Sequence, residues 1–454
     1  MKRFWVFLLA AALVLPACSA GGQKPPPKRT ELVIATMNPY GINSELRKAV
    51  IQFNRSHKDI RFTIKNYWGG TPEEAQQKQM QLKTEIASGK MPDIIDIGSH
   101  SRWMDLLPYH QLAVKGYLED LWPYIENDPE LGREALFLPP LKAAEVNGGL
   151  YTVFNSVTVN TCSGAKSVVG DRYSWTLEEL WDVFSTMPED SLILNEETDQ
   201  LAAFSWVLGM NLDSYINWES GKYNFDCEDF RTALEFARSF PSNYQFPEGK
   251  EAEKAYNERY ITRMKEGRQM LSRVSNFSDM QRMEIIYGEP ASFVGYPSAG
   301  GSAGSSFNPC GNKMAISSTC KDKEAAWEIV RHMLLPRYEN PKDLARDPLD
   351  LHVNGVPINL ADYHMQKKVY MSSVFGNLEL IHFGMYIHFH KATEEELQRY
   401  EDFLSHIEKI ELYDCTLLDL VWECCGAYLA GDKSIDETIT LIENRVGLYI
   451  NENR

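Results

Sequence analysis

After Val14 the chain has no apolar run approaching the eighteen or so residues that a membrane-spanning helix needs, which excludes a second span. Positive charge is also scarce: 46 Lys and Arg face 63 Asp and Glu, leaving a formal charge of −17. A surface of that sign repels phosphate backbones and anionic lipid, so nucleic acid is excluded as a partner. None of the eight cysteines forms a Cys-x-x-Cys pair, and neither a zinc knuckle nor a thioredoxin-type centre is indicated. Self-similarity at a period of about 20–50 residues is missing too, which removes solenoid architectures.

What is present begins at the amino terminus. Lys2 and Arg3 precede an apolar run from Phe4 to Val14, then Leu15-Pro16-Ala17-Cys18. A short cationic stretch, an apolar core and a small residue before a cysteine read as a secretory signal. The last four residues resemble the lipobox of bacterial lipoproteins. That resemblance implies a signal peptide over 1–17, cleavage before Cys18 and a diacylglyceryl thioether on its sulfur, with the lipid as the protein's sole hold on the outer face of the bacterial membrane. Residues 18–30 include Pro25-Pro26-Pro27 and no large aliphatic side chain, as expected of a solvated, lipid-anchored linker. Folding is expected to begin near Glu31.

The remaining length predicts two or three domains, and 44% hydrophobic against 24% charged residues predicts a packed core. Seven cysteines are left, an odd number. Cys310 and Cys320 flank a strand-like run, and an extended separation of about 30 Å far exceeds the disulfide reach of about 7 Å. No bridge is assigned, and the vicinal Cys424-Cys425 has no evident role.

Glu31–Thr36 reads as a strand, and Ser44–Asn54 as a helix with Leu46, Ala49, Val50 and Phe53 on one face. Ile60–Tyr67 is a second strand. Thr71-Pro72-Glu73-Glu74 supplies an N-cap, a first-turn proline and a capping-box glutamate for a helix that Gly89 stops, and Asp93–Gly98 is a third, buried strand. This alternation predicts a parallel α/β sheet. Further on, Leu150–Asn160, Ser292–Tyr296 and Lys313–Ser317 read as strands. Thr176, Thr393 and Ser434 each precede a glutamate by three residues and open helices, and Phe230–Phe240 and Lys323–Leu335 are helical, the latter ended by Pro336.

The chain from Glu31 to Arg454 resembles the extracellular solute-binding proteins of ABC importers, in particular the large carbohydrate-binding family that includes maltose-binding proteins. Ala87-Ser88-Gly89-Lys90-Met91-Pro92-Asp93-Ile94-Ile95 is similar to that family's small-Gly-x-x-Pro-Asp-hydrophobic signature. Ser317–Leu335 and Ala430-Gly431-Asp432-Lys433-Ser434 are similar to two of its helix starts. The resemblance implies an α/β, two-lobed periplasmic-binding-protein-like fold of type II with a hinged cleft. One lobe would comprise 31–143 plus 290–336, and the other 144–289 plus 337–454. It also implies a monomer that captures a sugar for membrane permease subunits, without cofactor, metal or catalysis. Solute would be held by contacts made to both lobes at once, so that binding stabilises the closed state.

Sugars need aromatic faces and surrounding hydrogen-bonding groups, and ligands of open α/β sheets bind at loops leaving strand ends. By position against the family pattern, these are Asn38 and Tyr40 after the first strand, Trp68 after the second, and Ser99, His100 and Trp103 after the third. The second lobe would offer Asn155, Trp206, Asn211, Asn276 and Phe277, with Tyr296 and Ser298 near the crossover. Trp206 sits in an apolar stretch that suits core as well as platform, whereas Trp175, Trp181 and Trp327 read as core.

Rival chemistries find less support. Gly300-Gly301-Ser302-Ala303-Gly304 matches a nucleophile elbow, but Ser305–Gly311 cannot start the helix an elbow requires. Gly295 and Gly300 have phosphate-loop spacing, yet position 301 is glycine where lysine is needed. His388-x-His390 would put two imidazoles on one strand face, without a spaced third ligand. A surface-attached carbohydrate hydrolase and a sugar sensor feeding a membrane kinase remain open alternatives at the level of sequence.

Overall fold

A computed structural model describes residues 29–38, 40–98, 107–245, 247–302, 304–340, 344 and 355–453. The Cys18 anchor and the signal segment lie outside the described residues, as do Ser99, His100 and Trp103.

The amino-terminal third folds as its periodicity predicts. Strand Thr30–Thr36 pairs in parallel with Ile60–Asn66 and with Ile94–Asp96, and Met314–Ile316 adds an antiparallel edge beside the third strand. Leu32, Ile34 and Ala35 are fully buried because helices cover the sheet. Helix Ser44–Ser56 is capped by Asn43, whose side chain accepts from the Leu46 amide at 2.9 Å, and it buries Leu46, Ala49, Val50 and Phe53. Helix Pro72–Ala87 starts on Thr71 with proline in its first turn, but the expected capping box is half made, because the Glu74 carboxylate accepts from the Gly70 amide instead of the Thr71 amide; Gly89, at φ 74°, turns the chain out of the helix.

A second sheet is organised around the ten-residue strand Ser156–Ala165. Its first half lies between Val356–Pro357 and Ser306–Pro309, and its second half pairs with Ser272–Val274 and Ala291–Phe293. Lys409–Ile410 extends this sheet in parallel beside Ser306–Pro309. Helices Gln200–Gly209, Glu228–Arg238 and Cys415–Leu429 pack together in this lobe, and Ile435–Asn453 packs on the last of them. The capping boxes at Thr176 and Thr393 are both closed, and Ser434 with Glu437 exchanges the same pair of bonds.

The chain crosses between sheets in places the sequence does not mark. Val153 bridges Met314 of the first sheet, and Ser156 opens the second; the return occurs between Pro309 and Met314. Residues 290–309, expected in the first lobe, therefore carry two strands of the second. Residues 144–153, expected in the second lobe, stay with the first, where Leu121 donates to the Leu150 carbonyl at 2.7 Å. Strand partners are chosen by long-range pairing, which a local pattern does not encode. All seven cysteines among the described residues are free thiols. Among those residues no helix is long and apolar enough to cross a membrane.

Candidate functional site

The three parallel strands of the first sheet end on Thr36, Asn66 and Asp96, and the segments that follow the first two lie side by side as a rim. Asn38 shapes its own loop, accepting from the Tyr40 amide through Oδ1 at 2.9 Å and from Gly41 through its carbonyl at 2.9 Å. Tyr40 stands 88% exposed beside it. Asn66 ties this loop to the next: its amide donates to the Asn38 carbonyl at 3.4 Å, and its Oδ1 accepts from the Trp68 amide at 2.8 Å. Trp68 is half-buried against the core, and Lys78 donates to its carbonyl at 2.6 Å. A Cβ at Gly69 would come within 2.4 Å of the Glu74 and Ala75 backbone, so only glycine lets this loop lie against the helix.

Asp96, only 1% exposed, is the hub of the rim. Its Oδ2 accepts from Thr36 Oγ1 at 2.9 Å and Asn312 Nδ2 at 2.7 Å, and its Oδ1 from the amides of Lys313 and Gly98 at 3.0 and 3.1 Å. One carboxylate thus joins two parallel strands to the crossover segment. The buried Lys313 ammonium has its pKa lowered by desolvation, against the opposing pull of Asp96 and Glu411. Glu411 belongs to the second lobe, where its carboxylate accepts from Asn160 Nδ2 at 2.7 Å and Ser306 Oγ at 3.0 Å. Asn160 also donates to the Trp206 carbonyl at 3.4 Å. Within the second lobe, polar contacts thus join Glu411 through Asn160 to the Trp206 backbone, and the Glu411 charge is felt by the Lys313 ammonium at the crossover.

Trp206 borders a pocket of about 230 Å³ walled by second-lobe residues, among them Asn195, Thr198, Gln269, Arg273, Arg282 and His382. The Arg273 guanidinium lies 3.8 Å over the indole, so one face of the ring is already covered by a cation. A larger hollow of about 450 Å³ lies on the first lobe between Tyr124 and Trp327, away from the strand ends. Two of its carboxylates are spent internally: Asp128 receives Arg331 and the Trp327 indole, and Glu119 receives Lys323. The pocket beside Trp206, whose wall sets an indole among amide, hydroxyl and guanidinium groups, is the better candidate.

Of the residues expected from the second lobe, only Trp206 lines this pocket. Phe277 is a core residue, 1% exposed among Tyr370, Phe375 and Tyr400. Tyr296, also 1% exposed, donates to Asn160 Oδ1 at 3.3 Å and supports the pocket from behind. Asn276 is buried and caps helix Phe277–Tyr287 by accepting from the Asp279 amide. Asn211 is held by Lys409, at 2.5 Å, and by its own bond to the Val207 carbonyl. Asn155 sits at the crossover, where its carbonyl accepts from Ile358 and its Oδ1 from the Ser156 hydroxyl. Ser298 donates to the Ser302 carbonyl at 3.1 Å inside its own loop. The residues that sequence reasoning missed are Arg273, Arg282, Gln269 and His382. In one dimension they look like ordinary surface polar groups, and no motif spacing connects them.

The rival motifs have other roles here. Ser302 donates to Ser298 at 3.1 Å and is followed by strand Ser306–Pro309 rather than a helix, so no nucleophile elbow forms. His388 and His390 contact separate carboxylates, Glu379 at 2.9 Å and Glu396 at 2.8 Å.

Two α/β lobes joined by crossovers, with polar loops at the strand ends of one and a pocket in the other, define a two-lobed binding protein. The chain belongs to the bacterial extracellular solute-binding protein family, whose model matches residues 39–340, about two thirds of its length. That family consists of binding proteins and works outside the cytoplasm. Among solved structures, the chain is similar to the sugar-binding protein MalE of Xanthomonas citri, at 14% identity and TM-score 0.54, over 93% of this chain and 98% of that one. It is also similar to a periplasmic oligogalacturonide-binding protein of Yersinia enterocolitica, at 15% identity and TM-score 0.50, over 93% and 100%. A third similar structure, described as a designed esterase, has 15% identity and TM-score 0.52 over 94% and 99%. At such identities the likeness shows the fold alone, which is that of two-lobed periplasmic solute-binding proteins. Comparison with curated protein sequences finds no match.

Proposed function

We propose that this protein is the lipid-anchored binding subunit of an ABC importer and that it captures a sugar or short oligosaccharide between its lobes without transforming it. The observation that carries the reading is the pocket beside Trp206, where an aromatic ring stands among amide and hydroxyl side chains. Family membership supports it, as do the sugar-binding descriptions of two structural neighbours. The first lobe would add Asn38, Tyr40 and Trp68, with Ser99, His100 and Trp103 from the loop after the third strand. Solute touching both halves favours closure, because only the closed state makes all contacts together. Permease subunits would then recognise the closed form, and two or more acyl chains on Cys18 would keep the protein at the membrane surface.

Thermal-shift and scattering measurements over mono- and oligosaccharides test this. A bound sugar at about 100 times its dissociation constant stabilises the native state by about 2.7 kcal/mol and shrinks the scattering envelope. No response across the panel would overturn sugar capture, and a product that accumulates with protein and time would favour hydrolysis. Cys18→Ser is expected to abolish lipid labelling and release the protein from cells.

A further inference from the structure

More positive charge faces the Trp206 pocket than a neutral sugar can use. Arg273 projects from strand Ser272–Val274 with its guanidinium stacked on the indole, and no carboxylate among the described residues pairs with it. Arg282, on helix Phe277–Tyr287, gives one Nη to Asp279 at 2.8 Å, but its Nε is buried with no partner among the described residues. His382 Nε2, from the hairpin strand Glu379–His382, is buried and unpartnered in the same sense. Both residues line the pocket. Glu197, the single acidic side chain in its wall, is engaged by the Tyr256 hydroxyl.

A guanidinium can only donate, so a group brought against this wall is favoured when it presents acceptors. Burial and the neighbouring Arg282 charge hold the His382 ring neutral at physiological pH, which lets its nitrogen donate or accept without adding a third cation. The Arg273 fork is planar and pre-oriented by its stack on Trp206, an arrangement that suits two parallel bonds to an oxyanion. With about 230 Å³, the pocket takes one charged unit of a ligand rather than a long chain, so the rest of the solute would extend toward the crossover and the first-lobe rim.

We infer that the solute is an acidic sugar whose anionic group, a carboxylate or a sulfate ester, is held by Arg273 and Arg282 in the pocket beside Trp206. The inference rests on the reading of that pocket as the second-lobe half of a sugar site, and it narrows the ligand to an anionic class.

Calorimetry on the purified full-length protein, with polygalacturonate and alginate oligomers, sulfated galactose oligomers, and neutral galactose and mannose oligomers of matched length, decides it. An acidic member is expected to bind at least about tenfold tighter than its neutral match, with affinity that falls as salt rises. Whether the uronates or the sulfated sugars respond identifies the oxyanion. Arg273→Gln should weaken the acidic ligand about 10- to 100-fold and a neutral match by a clearly smaller factor, and Arg273→Lys should recover only part of the loss because charge returns without the fork. Arg273 is exposed, so these variants are expected to fold; Arg282→Gln serves as a second probe once its melting temperature matches the parent. Neutral sugars binding as tightly as acidic ones, or Arg273→Gln weakening both equally, would overturn the inference and leave sugar capture standing. Binding of no sugar of either charge would remove sugar capture and this inference with it.

Discussion

The two halves of the candidate site are held together by opposite means. On the first lobe, loops leave the ends of parallel strands that are neighbours in sequence, and a single buried carboxylate, Asp96, ties them to the crossover. On the second lobe, the pocket draws side chains from Leu194 to His382, and ring packing around Trp206 and Tyr260 holds them in place of a central acceptor. A site with one hub should fail as a unit, whereas a site assembled from packed rings should lose its contributions one at a time.

The largest expected effect tests the hub. Asp96→Ala should destabilise the protein by about 3–5 kcal/mol in urea titration, because Thr36, Asn312 and the Lys313 amide each lose an acceptor in a buried setting. A loss below about 1 kcal/mol would show that the rim does not depend on it. Phe277→Ala is expected to cost a similar 3–5 kcal/mol while leaving solute affinity per folded molecule unchanged. Intact stability with lost binding would return Phe277 to the site and break the contrast drawn here.

Acid titration sharpens the second half. The His382 pKa is held down to about 4 by burial, reinforced by the Arg282 charge, whereas in the unfolded chain it is near 6.5. Between those values the unfolded state binds the extra proton, so stability contributed by the neutral ring is present above pH 6.5 and is lost as pH falls toward 4. The loss amounts to at most about 3 kcal/mol, and His382→Gln should flatten that limb of the stability profile. An unchanged profile in the variant would place His382 in a wetter environment than the pocket wall. The smallest effect on folding belongs to the exposed Tyr40: its change to alanine should leave stability within about 0.5 kcal/mol yet weaken sugar binding several-fold, and unaltered affinity would remove it from the rim.

Legibility in the sequence follows the range of the forces involved. The caps at Thr71, Thr176, Thr393 and Ser434, the stop at Gly89 and the buried face of helix Ser44–Ser56 were readable because each depends on residues within one or two turns. The first sheet was readable because its three parallel strands follow one another with helices between. The assignment of 290–309 failed because Ala291–Phe293 and Ser306–Pro309 find their partner in Ser156–Ala165, more than a hundred residues earlier. Asn276 and Phe277 were expected at the site from their place in a family pattern; one instead caps a helix and the other fills the core. The cap is local, reaching only to Asp279, whereas the core role of Phe277 is invisible until Tyr370 and Tyr400 are known to lie alongside.

The sequence by itself determined the parallel strand order of the first sheet and the caps that open several helices, because local periodicity and capping act over a few residues and need no partner; the family and its two-lobed fold were legible through a resemblance of motifs. Tertiary structure alone decided where the chain crosses between lobes, which aromatic residues became core, and that a guanidinium covers Trp206. Those outcomes depend on burial and long-range pairing, which bring together groups from Leu194 to His382 that have no relation along the chain.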